Sequence, residues 1–515
     1  MTDKKHLAAA TSLVACMAIV GSINILPNGF VYDDLIWVGD QCLSGWENLL
    51  RIFSTNIWGL QGGESHYYRP AAFFVGFLFG KSFGQTPTAW HTFSLLLHAI
   101  ASASVYLLAL RICGPLQDEV ADGRTALIAG CLFAVHPVHA EAVAWASAWG
   151  EISMTVLCVA AIYIYTLDDR VAPLWSAAVY FAALLFKETG IIVPLILVAY
   201  DRLYRGQLHW RRYLPYLIAA TVYMVIRGMA LGAVAPAAAG KLSLPTMLVL
   251  LKTYFSYLVA PVGLNVFHVI PAVKSYADAR LPGALLAVCA YAAALGYTYR
   301  QNKGWCLSLL IIGVPLLPAL YTPALGGSNL AERYLYLPSV GFVVLLAGII
   351  RKAGRVGGSL AVALVVVWCI LTTQRNAIWR DDVTLWADSV AKASERRPIP
   401  LNNLGAAYAS NGDTIRAIGY FSEAVRIAPS YGDAHRNLAL AYESRGKTEH
   451  AIAEYTAALR HGPSDAIAHN NLGILLIAKG EGEGGAAHIR QAYALKSCDR
   501  DIMRNYAIVT GRTTP

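Results

Sequence analysis

Charge is what this sequence has least of. Only 14% of its 515 residues are Asp, Glu, Lys or Arg, against about a quarter in soluble domains. With 56% hydrophobic residues and a mean hydropathy of +0.47, it cannot present an aqueous surface throughout, which excludes an ordinary soluble enzyme. Cysteine forms no pattern: nine residues are scattered without a CxxC pair, which excludes a cysteine zinc site. Seven (Cys16, Cys113, Cys131, Cys158, Cys289, Cys306 and Cys369) lie in or beside apolar stretches, where a thiol behaves as a small hydrophobe. Cys42 and Cys498 are both expected to face outward, within reach of a disulfide. Phosphate-cradling glycine motifs are missing too. There is no Walker A sequence and no GxGxxG after a strand, so a nucleotide donor has no cradle.

What charge there is divides the chain. Residues 1–374 hold 24 basic and 17 acidic side chains, and the much shorter 375–515 holds 17 and 15. This predicts a membrane domain over 1–374, a linking helix over 375–398 and a soluble domain over 399–515. Most of the net charge of +9 falls in the membrane part, where cations set topology, so it is not read as nucleic-acid binding.

Residues 7–26 run for twenty positions without charge, enough for one helical crossing. Lys4 and Lys5 precede them, which keeps the N-terminus cytoplasmic. The length of this span, and its lack of a small-residue cleavage site, argue against a signal peptide. Ten further spans are read near 91–110, 125–137, 141–166, 172–186, 189–203, 213–232, 281–299, 305–322, 334–350 and 357–374, with cations such as Arg111, Arg170, Arg202, Arg300 and Arg351 in the inner loops. About eleven crossings place the C-terminal domain outside. The apolar stretch 245–261 is broken by Lys252 and reads as re-entrant or interfacial. The first outer loop, 27–90, opens with the adjacent acids Asp33 and Asp34, within a few residues of the surface where a lipid-borne substrate presents its headgroup.

The C-terminal domain repeats every 34 residues. Asn403-Leu404, Asn437-Leu438 and Asn471-Leu472 keep that spacing, as do Gly412, Gly446 and Gly480 and then Ala424, Ala458 and Ala492. A 34-residue period with a glycine turn and a closing proline is the tetratricopeptide signature.

Five segments of the membrane part form a set: Val31-Tyr32-Asp33-Asp34, Tyr68-Arg69-Pro70, residues 132–145, Phe186-Lys187-Glu188-Thr189-Gly190 and residues 331–339. Together with the repeats they resemble the transmembrane and tetratricopeptide-repeat O-mannosyltransferases of the GT-C superfamily, over nearly the whole chain. The three repeats, beside the longer arrays of eukaryotic members, suggest a bacterial-type member in the inner membrane, with the repeats periplasmic. The resemblance implies an all-α polytopic GT-C glycosyltransferase. Its donor is a polyprenyl-phosphate sugar, the transfer is inverting, and the acceptor is a Ser or Thr hydroxyl of an exported or membrane protein, brought by the repeats. Two other functions fit the sequence: a GT-C transferase acting on a lipid or cell-wall glycan, and a non-catalytic membrane-anchored scaffold.

Such a transfer needs a base at the attacking hydroxyl and cations at the departing phosphate. The resemblance gives Asp33 the base position, with Asp34 orienting a neighbour or a metal; the alternative is that the pair caps the next helix. Glu141, with His136 and His139, falls at an outer turn and is expected in the site. The alternative there is a helix corner in which these groups satisfy backbone. A divalent metal at Asp34, His139 and Glu141 is the one metal reading; otherwise no cofactor is expected. Arg333 is the preferred phosphate ligand because its fork grips phosphate oxygens and keeps its charge, with Glu332 holding it. Lys187, beside Glu188, binds phosphate or forms an internal ion pair. Arg69 binds phosphate or anchors the interface. The asparagine row Asn403, Asn437 and Asn471 grips an acceptor peptide backbone or bonds to neighbouring helices.

Overall fold

The computed structural model describes residues 4–34, 46, 51–54, 67–113, 123–167, 170–232, 242–321, 328–393, 395–497 and 499–511. Cys42 and Cys498 lie outside them. The regular elements described are helices, with one isolated bridge between His268 and Leu330. The chain divides into two units, Met1–Asp34 with His66–Arg380, and Leu35–Ser65 with Asp381–Pro515. The division falls a few residues beyond 374 because the last apolar helix, Gly354–Ile378, runs on past that point.

In the first unit seven described helices are long and apolar enough to cross a membrane: Lys4–Ile25, Pro87–Cys113, Ala146–Tyr165, Leu214–Leu231, Leu281–Gln301, Lys303–Leu320 and Gly354–Ile378. An eighth is added if Gly123–Ala134 and Pro137–Ala144, bent by 47°, form one broken span. The expected count of eleven is higher because several apolar stretches are cut by proline and glycine. Ala172–Phe186 and Pro338–Lys352 each have 15 residues, about 22 Å of helix against a hydrocarbon core of about 30 Å. The stretch 189–203 breaks into a 3-10 turn, the eight-residue helix Val193–Tyr200 and a π turn closed by Gly206. Leu244–Val259, the segment broken by Lys252, is a 16-residue helix, short of a full crossing. The apolar helix Pro70–Phe83 lies inside what the sequence presents as an outer loop.

Pro87–Cys113, Ala146–Tyr165 and Lys303–Leu320 form the inside of the unit, with more than half of their apolar windows buried. Leu214–Leu231, Leu281–Gln301 and Gly354–Ile378 are 17%, 17% and 22% buried and turn large side chains such as Met229, Leu286 and Val362 outward. A helix apolar all round with few protein neighbours is solvated by lipid.

The break at 134–137 positions the site. His136 is extended (φ −71°, ψ 125°) ahead of Pro137, as the proline ring requires of the residue before it. A 3-10 turn, the short helix Ala140–Ala144 and an extended Trp145 follow before the next long helix begins. The apolar run places 141–166 in one span, but the chain is a folded corner up to Trp145, and the helix that follows opens with a 3-10 turn at 146–148.

In the second unit the helix pairs Pro398–Ser410/Thr414–Ile427, Gly432–Glu443/Thr448–His461 and Ala466–Ala478/Gly482–Leu495 repeat one design, preceded by Asp382–Lys392 and followed by Arg500–Thr510. Gly412, Gly446 and Gly480 turn each pair at φ 82°, 69° and 95°, a region costly to any side chain. The repeated alanines Ala424, Ala458 and Ala492 are buried between helices.

Candidate active site

Just beyond the first apolar helix, residues 31–34 close a tight turn. Asp34 donates its N–H to the Val31 carbonyl at 3.1 Å and takes the Val31 N–H on Oδ2 at 3.0 Å. Its other oxygen accepts the backbone N–H and hydroxyl of Ser147 at 2.7 and 2.5 Å. The 3-10 turn after the folded corner is therefore fastened to the acidic turn. Asp34 is fully buried; its neighbour Asp33 is half-buried. Of the two acids, Asp34 holds the turn and Asp33 reaches outward.

Burial, helped by the charge of Asp33, pushes the Asp34 carboxyl up to about 7, against hydrogen bonds from Ser147 and Val31 that favour the carboxylate. Below that pH the group takes a proton, and the charge-assisted bonds from Val31 and Ser147 that hold the turn become weaker neutral ones. The activity of the site is expected to fall as pH drops through about 7. Ser147→Ala removes a donor that stabilises the carboxylate and is expected to move this acidic limb to higher pH, which a pH–rate profile checks.

Trp145 joins this turn to Arg333. Tyr32 packs on it at 5.3 Å between centroids, and the Arg333 guanidinium lies 5.2 Å from its ring centre. Arg333 forms an ion pair with Glu141 and donates its backbone N–H to the same carboxylate at 2.9 Å. Glu141 is sealed at 1% exposure, whereas the arginine side chain keeps 20%. Glu141 is thus the buried counter-ion, and the guanidinium is the part that reaches out. Glu332 faces away, bonded to the Asn265 N–H, to His268 at 3.0 Å and to Arg375 at 3.5 Å. It anchors the segment carrying Arg333 without touching that side chain's fork.

Lys187 pairs with Glu151, both side chains almost wholly buried, and its ammonium sits 4.8 Å over the Tyr334 ring. This geometry fits the internal ion pair. Arg333 flanks the same tyrosine at 5.3 Å. Arg69 grips Glu188 bidentately at 3.1 and 2.7 Å, lies 4.6 Å over Tyr67 and keeps 22% side-chain exposure.

The histidines are struts. His136 bonds to the Leu258 carbonyl at 3.1 Å and accepts the Val138 N–H at 3.3 Å, with its ring 4.2 Å from Trp368. His139 bonds to Ser339 at 2.8 Å. Asp34, His139 and Glu141 are thus held by separate partners, and among the described residues no three His, Cys, Asp or Glu side chains group as metal ligands.

In the repeats, Asn403, Asn437 and Asn471 are half-buried and already engaged. Asn402 donates to Asn403 at 3.2 Å and Asn437 to Asn402 at 2.9 Å. Asn470 donates to Asn471 at 2.9 Å, and Asn471 to Tyr455 at 3.1 Å. Asn505, 34 residues beyond Asn471, donates to Asn470 at 2.9 Å; the spacing alone identifies it as a fourth member of the row.

Sequence reasoning misses Ser147, Trp145, Glu151, His268 and Arg375. Glu151 carried a readable signal, an acid inside an apolar span, since such charges are paired or functional.

Comparison with known proteins agrees with this organisation. Residues 436–499 match the tetratricopeptide repeat family. The chain is 28% identical over 441 residues to the protein O-mannosyl-transferase F38B6.6 of Caenorhabditis elegans, covering 81% of this chain and 63% of that protein. It is 26% identical over 487 residues to the protein O-mannosyl-transferase TMTC3 of Mus musculus, covering 80% and 50%. With the protein O-mannosyl-transferase Tmtc3 of Drosophila melanogaster it shares 27% over 526 aligned positions, covering 82% and 55%. It spans between half and two-thirds of the length of these relatives. A polytopic apolar unit and a tetratricopeptide unit, joined in one chain, are together similar to the TMTC protein O-mannosyl-transferases over about four-fifths of the sequence.

Proposed function

We propose that the membrane unit transfers mannose from a polyprenyl-phosphate carrier to Ser or Thr hydroxyls of exported proteins, on the non-cytoplasmic face and with inversion, while the repeats recruit the acceptor. The observation that carries this reading is the meeting of the Asp33–Asp34 turn with the outward edge of Arg333 at Trp145. The relatives named protein O-mannosyl-transferases support mannose and a protein acceptor.

In this reading the acceptor oxygen attacks the anomeric carbon and its proton passes to Asp33. The bond from that carbon to the phosphate oxygen breaks, and the polyprenyl phosphate leaves against Arg333, with Arg69 as the second half-buried cation. Asp34 keeps the base in place through Ser147. The placement of the charges matches the two demands of the reaction, a proton acceptor and fixed positive charge at the leaving group.

The test is the full-length protein in liposomes with polyprenyl-phosphate mannose and an exported acceptor protein. A hexose mass increment on Ser or Thr supports the reading, as does its loss from exported proteins of deletion cells. No increment with active donor overturns it. Replacing Asn403, Asn437 and Asn471 together by alanine is expected to lower transfer to the protein acceptor while sparing a short peptide. The lost amide bonds, about 0.5–1.5 kcal/mol each, lower the melting temperature of the repeats as well. Equal loss on both acceptors assigns the row to repeat packing alone.

A further inference from the structure

We propose that the Tyr32 ring is the platform on which the hexose of the lipid-linked donor lies, an assignment that rests on the reading above. Tyr32 is the one non-glycine residue with positive φ among the described residues, at 57°. It is the second residue of the Val31–Asp34 turn, which is closed by two hydrogen bonds and pinned by Ser147; the commoner turns close with negative φ at that place. Glycine or asparagine takes the left-handed region easily, and a tyrosine only against a steric penalty. Strain of this kind is held in place where the surroundings over-determine it, and it clusters at binding and active sites.

What the strained backbone presents is an aromatic ring. Val31 and Asp34 are buried and Tyr32 is 37% exposed, so Tyr32 and Asp33 are the parts of the turn that face outward. The ring is inclined by 32° on Trp145, and the Arg333 guanidinium lies 5.2 Å from the centre of the same indole. A partly exposed tyrosine therefore has a carboxylate one residue along the chain and a guanidinium on the indole it packs against. A hexopyranosyl phosphate has matching parts: a face of C–H bonds to lay on the ring, hydroxyls around its rim, and an anionic substituent at the anomeric carbon. Sites for such ligands combine an apolar surface with a few placed polar groups.

The experiment measures binding of polyprenyl-phosphate mannose and of bare polyprenyl phosphate to the full-length protein in nanodiscs. The wild type is expected to prefer the sugar-bearing lipid by roughly fivefold to tenfold, the scale of one aromatic contact. Tyr32→Asn suits the left-handed turn but loses the ring contact with Trp145, so with melting temperature as the folding control it should hold the bare lipid equally and lose the preference. Tyr32→Phe should keep the preference. A preference that survives in Tyr32→Asn, or is absent from the wild type, overturns the platform and leaves the phosphate site standing. Loss of both lipids in Tyr32→Asn makes the residue a holder of the turn and also overturns it. If neither lipid binds the wild type better than phosphate-free polyprenol, the donor reading itself falls, and the platform with it.

Discussion

Asp33→Asn is expected to lower turnover by roughly 10²–10⁴ while the protein folds normally, because the change keeps size and polarity and removes only the ability to take a proton. Asp33 is the half-buried member of the pair, and the Val31 and Ser147 bonds that close the turn are accepted by Asp34. Mannose transfer by purified protein, with melting temperature as the folding control, is the measurement. Asp34→Asn is the informative partner. Both of its carboxylate oxygens accept backbone N–H groups, so an amide nitrogen must face a donor at one of them. A fall in activity together with a fall in stability is therefore expected from Asp34→Asn, whereas Asp33→Asn should lose activity alone. Near-normal turnover in Asp33→Asn sinks its assignment as base.

The second large effect is at Arg333. Arg333→Ala leaves the buried Glu141 carboxylate with the backbone N–H of residue 333 but no counter-charge, and breaking such a pair typically costs about 3–5 kcal/mol. Loss of stability and loss of donor binding would then be confounded. The double variant Arg333→Ala/Glu141→Gln separates them: removing the orphaned charge should recover most of the melting temperature, while donor affinity stays low. Arg333→Lys keeps the charge without the fork and is expected to raise the donor concentration required, with transfer still measurable. Unaltered donor titration in the double variant moves the phosphate role to Arg69, the other half-buried arginine of the group.

The sequence displays the parts of this protein that differ chemically from their surroundings. In an apolar chain the charges at 33, 34, 69, 141, 187 and 333 stand out because membrane burial makes them costly, and the 34-residue period shows in asparagine, glycine and alanine alike. Partners are harder to read. Glu151 belongs to Lys187, yet it sits within a continuous apolar run, and nothing local ties it to a residue 36 positions on. Ser147 and Trp145 are unremarkable in an apolar span; they matter because the chain breaks at Pro137 and folds a corner, which hydropathy averaging smooths away. Averaging also explains the surplus of expected crossings, since a window cannot tell a 15-residue helix flanked by proline from a complete span. The asparagine row is legible as a row, but its bonds to Asn402, Asn470 and Tyr455 are not, because they join different helices.

The three helices with few protein neighbours, Leu214–Leu231, Leu281–Gln301 and Gly354–Ile378, are held by a different force from the inner ones. Leaving water does not bring apolar surfaces together once fatty chains surround both, so such helices rely on contact at their ends and on the pressure of the surrounding lipid. The three helices run 18, 21 and 25 residues, and a stretch longer than the local hydrocarbon thickness is accommodated by tilting or by the bilayer adjusting. The bilayer thus acts as a structural component of the unit: a thinner or thicker membrane would lean the rim helices against a core that stays as it is.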